Sequence, residues 1–228
     1  MFAGHVGAAL AIGAAERRVN VRVFVAAALL LDLLLWSFVL LGWESVTIPP
    51  HFADTHQPDF IFPYSHGLLA GAIWSALAGG FAYFSRAPCQ TAHRRVAALV
   101  AAAVFSHWLL DVIVHQPELP VAGAQSALLG LALWGNMPVA LIVEAALLVV
   151  GLTVFVASSA WSRSRSVVLV VLSLVLLVFT LAGMTIAPAP PSAMAMAGSS
   201  LVTVVLVCAL YCWLGWGPRD GQMVGGRW

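Results

Sequence analysis

Long apolar stretches alternate with short polar segments along the chain. The apolar stretches cover residues 2–15, 21–41, 64–85, 96–115, 137–157, 167–186 and 201–216. Most of them approach the roughly 20 residues that an α-helix needs to cross the hydrocarbon core of a bilayer. The pattern therefore predicts an all-α fold, a polytopic transmembrane helix bundle of about seven spans. The first stretch is brief for a full span, so we expect it to be tilted or partly re-entrant.

The connections between these stretches differ in character. Residues 43–63 are polar, and residues 117–135 are a mixed connection with an interfacial helix expected at about 124–133. Residues 187–200 carry no charge and are rich in proline, alanine and methionine. This composition predicts a flexible lid or a lipid-contacting loop.

The basic residues indicate how the bundle is oriented. All ten are arginines, and they fall after the first, third, fifth and seventh apolar stretches. Because cytoplasmic loops carry an excess of basic residues, these connections are predicted to lie in the cytoplasm. The N-terminus is then predicted to be extracytoplasmic and the C-terminus cytoplasmic.

The composition agrees with a membrane protein and limits the alternatives. The 228 residues are 62% hydrophobic and 8% charged, which is not the balance of a soluble domain. The length leaves little room for a separate soluble unit, so residues 1–228 are predicted to form a single integral membrane domain. A net charge of +1 argues against nucleic acid as a partner. Membrane lipids are the expected partners, and the oligomeric state is left open.

The fourth stretch carries the most informative polar pattern. His107, Asp111 and His115 are spaced four residues apart, which places them along one face of a helix. Ionisable groups inside a membrane helix are costly and usually face an interior where they have a role. Imidazole and carboxylate are ligands that borderline divalent metals prefer. The alternative is a polar contact between helices without a metal.

Other polar residues are predicted to reach the same depth. If the arginines are cytoplasmic, four further side chains from other segments fall in the outer half of the bundle: His5, Asp32, His66 and Glu144. Convergence from several helices favours a metal site over scattered packing. The loop residues His51, Asp54, His56 and Asp59 also resemble metal ligands, and their alternative is a solvated loop.

Several short motifs in order resemble a known family. They are Gly4-His5 followed by small residues, Asp32, Ser65-His66-Gly67 and His107-x-x-x-Asp111. This order resembles the YdjM-like membrane-bound metal-dependent hydrolases, which are thought to be related to zinc-dependent phospholipase C and fungal zinc nucleases. The resemblance covers residues 1–116, the expected metal-site half, and leaves residues 117–228 as supporting helices. It implies a bacterial-type cytoplasmic membrane as the location.

The resemblance also implies a set of ligands for two divalent ions, with zinc expected and manganese or iron as alternatives. Asp32, His66 and His107 would hold one ion. Asp111 would bridge to a second ion, held also by His5.

The sequence departs from the family pattern at a third metal position. A His-x-x-x-Glu pair is broken, because Ala140 stands four residues before Glu144. His115 and Glu144 would then bind only weakly, and two ions are expected rather than three. Asp54, in the polar loop of residues 43–63, is the alternative to Asp32 as a carboxylate ligand.

These residues predict a metallohydrolase whose site faces the extracytoplasmic side. A phosphoester or lipid-linked substrate follows from the resemblance and from the depth of the site. Asp32, Asp54 and Glu144 are the candidates for the general base, and the sequence does not choose among them. Ser65 and Ser106 each precede a histidine, where they would either orient the ring or serve as small packing residues.

Three other functions fit part of the pattern. His66 and His107 could ligate haem in an electron-transfer protein, although the nearby carboxylates suit divalent ions better. A proton-handling carrier would also use buried Asp and His, but the sequence shows neither broken helices nor an inverted repeat. A non-catalytic membrane scaffold is the remaining alternative.

Overall fold

The structure is a computed structural model that describes residues 1–85 and 90–215. The chain is mostly helical (71%). The helices of the described part are α1 (Phe2–Ala14), α2 (Val21–Ala28), α3 (Leu30–Leu41), α4 (Phe52–Thr55), α5 (Leu68–Phe84), α6 (Gln90–Val114), α7 (Met137–Ser158), α8 (Arg163–Thr185) and α9 (Ala193–Leu214), with a 3₁₀ turn at Leu133–Asn136. Short antiparallel strands pair as β1 (Ser45–Thr47) with β2 (Asp59–Ile61), and β3 (Leu119–Pro120) with β4 (Leu128–Leu129).

Several helices are long and apolar enough to cross a membrane, as the sequence predicts. Within the described ranges there are four: His93–Val114, Leu133–Ser158, Arg163–Thr185 and Ala193–Leu214. The pair α2 and α3 would count as a fifth if this bent pair is one span. The chain is thus a multi-pass membrane protein. Helices α1 and α5 are apolar but shorter, so seven spans and the orientation of the termini stay predictions.

The predicted second span is a bent pair of helices rather than one continuous helix. Helices α2 and α3 meet at Leu29 with a bend of 45°, although neither proline nor glycine lies there. The carbonyl of Ala28 at this break accepts a hydrogen bond of 2.6 Å from His107 Nδ1. A side chain that bonds into the backbone ladder is a known cause of a kink. The expectation that the chain lacks broken helices is therefore wrong.

The interfacial helix predicted at about 124–133 is also absent, since the described chain there forms a turn and strand β4. Gly123 and Gly130 have positive φ angles of 73° and 155°, which a helix does not contain. The backbone N–H of Ala132 donates to the carbonyl of His115, so this segment folds back over the end of α6. These two glycines were the sequence signal against a helix, because glycine readily adopts positive φ angles.

The uncharged segment before the last helix is only half loop. Helix α9 begins at Ala193, eight residues before the predicted start at 201, so the second half of the expected lid is helical. The Ser192 side chain accepts a hydrogen bond from the N–H of Ala195 and caps the helix. Alanine and methionine are strong helix formers, which explains the extension once the prolines have passed.

Small residues set how closely the helices of the site approach each other. Helix α1 is largely buried and crosses α7 where Gly7 meets Gly151, backbone against backbone. A Cβ atom at Gly7 would lie 2.7 Å from the Leu148 Cα atom. Gly71 of α5 similarly faces the Trp108 side chain of α6. These close contacts hold α1 against α7 and α5 against α6.

The described arginines gather at one end of the bundle. Arg95 lies 3.4 Å from the Glu16 carboxylate and donates to the carbonyl of Ala15, which joins the start of α6 to the end of α1. Arg165 donates to the carbonyl of Leu214 and joins α8 to α9. The remaining arginines of the orientation argument, Arg86, Arg219 and Arg227, lie outside the described residues. The long polar loops occupy the opposite end.

Candidate metal centre

Five of the predicted ligands meet in the interior of the bundle. They come from α1, α3, the residues just before α5, and α6: His5, Asp32, His66, His107 and Asp111. All except Asp32 are buried, and the Asp32 side chain is 18% exposed. Two groups have ligand atoms within 4.8 Å of one another: His5 with Asp32 and His107, and His66 with His107 and Asp111. The sequence prediction of convergence is thus met for these five residues.

The two histidines at the centre point their ring nitrogens at each other. His66 Nε2 lies 3.1 Å from His107 Nε2, with the ring planes 70° apart. The Nδ1 atom of His107 is held by the carbonyl of Ala28, which can only accept, so Nδ1 carries the proton. The Nε2 atom of a neutral His107 therefore presents a lone pair to the centre.

His66 is set in the same tautomer by a chain of two residues. The Ser65 hydroxyl lies 2.8 Å from His66 Nδ1 and 2.7 Å from Glu44 Oε2. An ionised Glu44 takes the single hydroxyl proton, so His66 Nδ1 must donate to Ser65 Oγ. The Nε2 atom of His66 is then also a lone pair directed at the centre. Two lone pairs at this distance repel each other unless a proton or a metal cation lies between them.

Sequence analysis did not assign Glu44 to the site. Its Oε1 atom also accepts from the backbone N–H groups of Tyr64 and Ser65, both at 2.8 Å. Burial raises the pKa of Glu44 above its ordinary value, and these hydrogen bonds offset that effect only in part. The sequence signal for a role of Glu44 in the site was its position at the start of the polar loop. Nothing in the spacing connects residues 44 and 65.

Asp111 directs its two oxygens to different histidines. Oδ1 lies 3.1 Å from His5 Nε2, and Oδ2 lies 3.1 Å from His107 Nε2 and 3.4 Å from His66 Nε2. The amino group of Met1 also lies 3.4 Å from Oδ1. A carboxylate with this arrangement can bridge two cations, one beside His5 and one between His66 and His107.

His5 and Asp32 complete the group from opposite sides. The ring of His5 stacks on that of His107 with centroids 3.6 Å apart, and its buried Nδ1 has no hydrogen-bond partner in the part of the chain described. Asp32 Oδ1 lies 3.7 Å from His107 Nε2 and 3.9 Å from His66 Nε2. These distances exceed hydrogen bonds and leave room for an ion between the groups.

His115 does not join the other predicted ligands. Helix α6 ends at Val114, and the side chain of His115 bonds to the loop that follows instead of to the cluster. The His115 Nδ1 atom lies 2.6 Å from Glu118 Oε1, and its ring packs against Trp134 and Phe62. It lies on the wall of the central cavity instead. The helical spacing was right as far as Asp111.

Glu144 and Asp54, two of the proposed bases, differ in position. Glu144 is buried beside the site, and its Oε1 atom accepts from the N–H groups of Ala3 and Gly4 at the start of α1. Asp54 is exposed in α4 and lines an outer cavity that shares His56, Trp134 and Met184 with the central one. The structure thus brings Asp32, rather than Asp54, to the histidines.

The remaining polar candidates lie away from the centre. His51 and Asp59 are exposed loop residues, as the solvated-loop alternative expects. Ser106 donates to the carbonyl of Ala103 in its own helix and does not orient His107. Ser65 alone of the two serines acts on a histidine ring.

A cavity of about 480 Å³ leads to the cluster. Asp32, His66 and Asp111 line its polar end, and Glu144 lies beside them. The rest of its wall is mainly apolar and extends to α8 and α9. The volume falls within the range of about 300–1,000 Å³ that is usual for small-molecule sites. A ligand with one polar end and one apolar end would match this lining.

Comparison of the chain with protein-family models, with curated proteins and with solved structures gives no match. The resemblance to the YdjM-like hydrolases therefore stays a prediction that rests on the residues themselves.

Proposed function

We propose that this protein is an integral membrane metal-dependent hydrolase. The observation that carries the proposal is the facing pair of Nε2 atoms of His66 and His107, 3.1 Å apart, with each Nδ1 already hydrogen-bonded. Two neutral rings held in this way need a cation between them or beside them. The adjacent carboxylates of Asp32 and Asp111 supply the negative charge that such a cation requires.

The donor set fits a borderline divalent ion, with zinc favoured and manganese or iron as alternatives. Imidazole nitrogen with carboxylate oxygen is a usual zinc environment. His66, His107 and Asp32 would hold one ion, and Asp111 would share its other oxygen with a second ion beside His5. The buried Nδ1 of His5 has no hydrogen-bond partner in the described part of the chain, which supports a ligand role for this ring. Bound ions would supply Lewis acidity that lowers the pKa of water and neutralises charge on a phosphoryl group.

The side chains of the site have separate roles in this proposal. Asp32 is the best placed of the three base candidates, because it is partly exposed and lines the cavity next to both histidines. Glu144 is engaged in holding the N–H groups of α1 and thereby positions His5. In the hydrolysis of a phosphoester, Asp32 would take a proton from water as the water oxygen bonds to phosphorus. The bond from phosphorus to the ester oxygen breaks, and that proton then passes to the ester oxygen, which leaves as an alcohol.

The proposed substrate is a phosphoester, and a lipid-linked one suits the cavity. The described arginines lie at the end of the bundle opposite the loops that cover the site. Along α6, His107 is about 18 Å beyond Arg95 at 1.5 Å per residue. Under the positive-inside rule this supports a site in the outer half of a bacterial-type cytoplasmic membrane, open to the extracytoplasmic side.

The test is metal content of the detergent-purified protein by inductively coupled plasma mass spectrometry. The parent protein is expected to hold about two equivalents, as in two-metal hydrolases, and a His107→Ala, Asp111→Ala variant is expected to lose most of them. His93→Ala changes a histidine of the same helix, outside the cluster, and should keep the parent content. A parent protein without metal after reconstitution with zinc would overturn the proposal.

A carrier is the second candidate, and the broken span favours it. Transporters often place discontinuous helices at their ion sites, and the 45° bend between α2 and α3 lies three residues before Asp32. Proton flux into liposomes containing the purified protein would support a carrier. Haem fits less well, because the ring of His5 stacks on His107 at 3.6 Å where a porphyrin would need space.

A further inference from the structure

The cavity that reaches the metal centre has a second end, between α8 and α9. Phe179 and Gly183 of α8 and Ser199 and Thr203 of α9 line this end. Phe179 is 54% exposed, and Gly183 and Ser199 are exposed as well. Residues that line a cavity and are exposed at the surface mark an opening. The cavity therefore reaches the outer face of the bundle between these helices.

The surface around this opening is suited to hydrocarbon. Val175 and Val178 of α8 and Val202 and Leu206 of α9 are exposed apolar residues on the flanking faces. Both helices are candidate membrane spans. Exposed apolar side chains on a membrane-spanning helix face lipid tails. The opening thus lies beside lipid, and loop residues such as His56 and Trp134 line another part of the same cavity.

The lining changes in character from this opening to the metal centre. Apolar residues of the wall, including Leu35, Trp36 and Phe62, lie in the cavity together with the carboxylates of Asp32 and Asp111. The cavity is continuous, so one molecule can contact both regions. Its polar contacts would lie at the metal centre. Its apolar contacts would include Phe179, Met184 and Met196 of α8 and α9, which also contribute the hydroxyl groups of Thr180, Ser199, Ser200 and Thr203 to the lining.

We propose that the opening between α8 and α9 admits one hydrocarbon chain of a phosphate-bearing membrane lipid, whose phosphate then lies at the His66–His107 cluster. The position of the phosphate rests on the proposed function, whereas the position of the chain rests on the apolar lining alone. The volume of about 480 Å³ suits part of one chain and a phosphate. The lateral opening lets the chain stay in the bilayer while the phosphate enters.

Glycine at position 183 offers a direct way to test the opening. A Cβ atom built at Gly183 meets no atom within 4 Å, so a larger side chain can be introduced there without displacing the backbone. Gly198 of α9 is a matched control, because its Cβ also meets nothing within 4 Å and it does not line the cavity. Gly183→Trp should fill the opening, and Gly198→Trp should leave it free.

The experiment uses phosphatidic acid with a photoactivatable diazirine on one acyl chain, incorporated in nanodiscs with the full-length protein. After irradiation, labelled residues are mapped by peptide mass spectrometry. Labelling is expected at Met184 and Met196, which line the cavity and are only partly exposed. Gly183→Trp should reduce it by about tenfold, a difference of one decade in binding, whereas Gly198→Trp should not change it.

Two results would overturn the proposal. The first is labelling confined to the outward-facing Val175, Val178 and Val202, which any surrounding lipid reaches. The second is cavity labelling that persists unchanged in Gly183→Trp. The size-exclusion profile and the thermal transition of each variant show whether it is folded. A Gly183→Leu variant of smaller volume should give an intermediate loss if Gly183→Trp does not fold.

The outcome is separable from that of the proposed function. Labelling of the acyl chain is measured both with zinc and after treatment with a chelator, and it should persist without metal because the chain contacts are apolar. Hydrolysis of bis(p-nitrophenyl) phosphate, which has no acyl chain, tests the proposed function by itself, and it should be equal in Gly198→Trp and the parent protein. If the protein binds no metal and shows no hydrolysis but its cavity is still labelled, the proposed hydrolase function is refuted and the proposed site for the lipid chain is not.

Discussion

Glu44 and His66 are joined through one hydroxyl group, that of Ser65, at distances of 2.7 Å and 2.8 Å. The carboxylate lies in the loop after α3, and the histidine precedes α5. The link fixes which nitrogen of His66 carries the proton, and it leaves Nε2 free to bind a cation. Groups that orient metal-binding histidines in this way affect metal affinity although they do not touch the ion.

The first prediction concerns this link. Ser65→Ala should weaken zinc binding by about 10- to 100-fold, the usual effect of losing a partner that orients a ligand. Competition with a chromophoric chelator measures the change. Ser106→Ala is the control, because that hydroxyl bonds within its own helix and should leave affinity unchanged. Equal affinities of the parent and Ser65→Ala would show that Ser65 acts only as a packing residue.

The second prediction distinguishes Asp32 from Asp54. Asp32→Asn removes the charge beside both histidines and should lower phosphoesterase activity by about 100-fold or more, as expected for loss of a base. Asp54→Asn alters an exposed loop residue and should keep the parent rate. The measurement is initial rates with bis(p-nitrophenyl) phosphate. The reverse ranking would assign the role to the loop carboxylate.

The third prediction concerns the crossing of α1 and α7. Gly7→Ala places a Cβ atom against the backbone of Leu147 and Leu148, so the helices must separate. We expect a destabilisation of about 1–3 kcal/mol, typical of overpacking, and a loss of metal because His5 moves with α1. Thermal unfolding in detergent measures the first effect. Gly198→Ala, which meets no neighbour, should be neutral or slightly stabilising.

The fourth prediction concerns metal removal. An ion that binds only the folded protein stabilises it by about 2.7 kcal/mol when its free concentration is one hundred times the dissociation constant. Chelation should therefore lower the thermal transition, and zinc should restore it. The His107→Ala, Asp111→Ala variant should show no shift on either treatment. A parent transition that is insensitive to chelator and zinc would contradict a structural contribution of the metal.

The fifth prediction concerns orientation. In a variant with the three native cysteines replaced by alanine, Ala53→Cys and Ala160→Cys place single thiols in exposed positions at opposite ends of the bundle. A membrane-impermeant maleimide added to intact cells should label the first and not the second. The opposite pattern would invert the orientation that the arginines predict.

The parts of the fold that follow from local sequence were predictable. The arginine positions identify the end of the bundle at which Arg95 and Arg165 make their contacts. The spacing of His107 and Asp111 correctly places both on one face of α6. His115 was assigned to that face by its spacing, which does not reveal that its side chain bonds to Glu118 in the loop after α6.

The features that were missed depend on contacts between distant segments. No proline or glycine at Leu29 indicates the bend in the sequence. The Ala28 carbonyl at the bend accepts a hydrogen bond from His107, which lies far along the chain. The role of Glu44 likewise depends on Ser65, in another segment. Glycine at positions 123 and 130 was a usable signal against the helix expected there.

The attachment of α1 to α7 also has a consequence for biogenesis. The N–H groups of Ala3 and Gly4 bond to Glu144, 141 and 140 positions later in the chain. At ribosomal rates of about 5–20 residues per second, that partner emerges on the order of 10 s after α1. Helix α1, with its buried histidine, must wait in the bilayer or at the insertion machinery until α7 arrives. The order of synthesis therefore makes the anchoring of α1, and of the histidine that it carries, a late event that follows synthesis of the other four residues of the cluster.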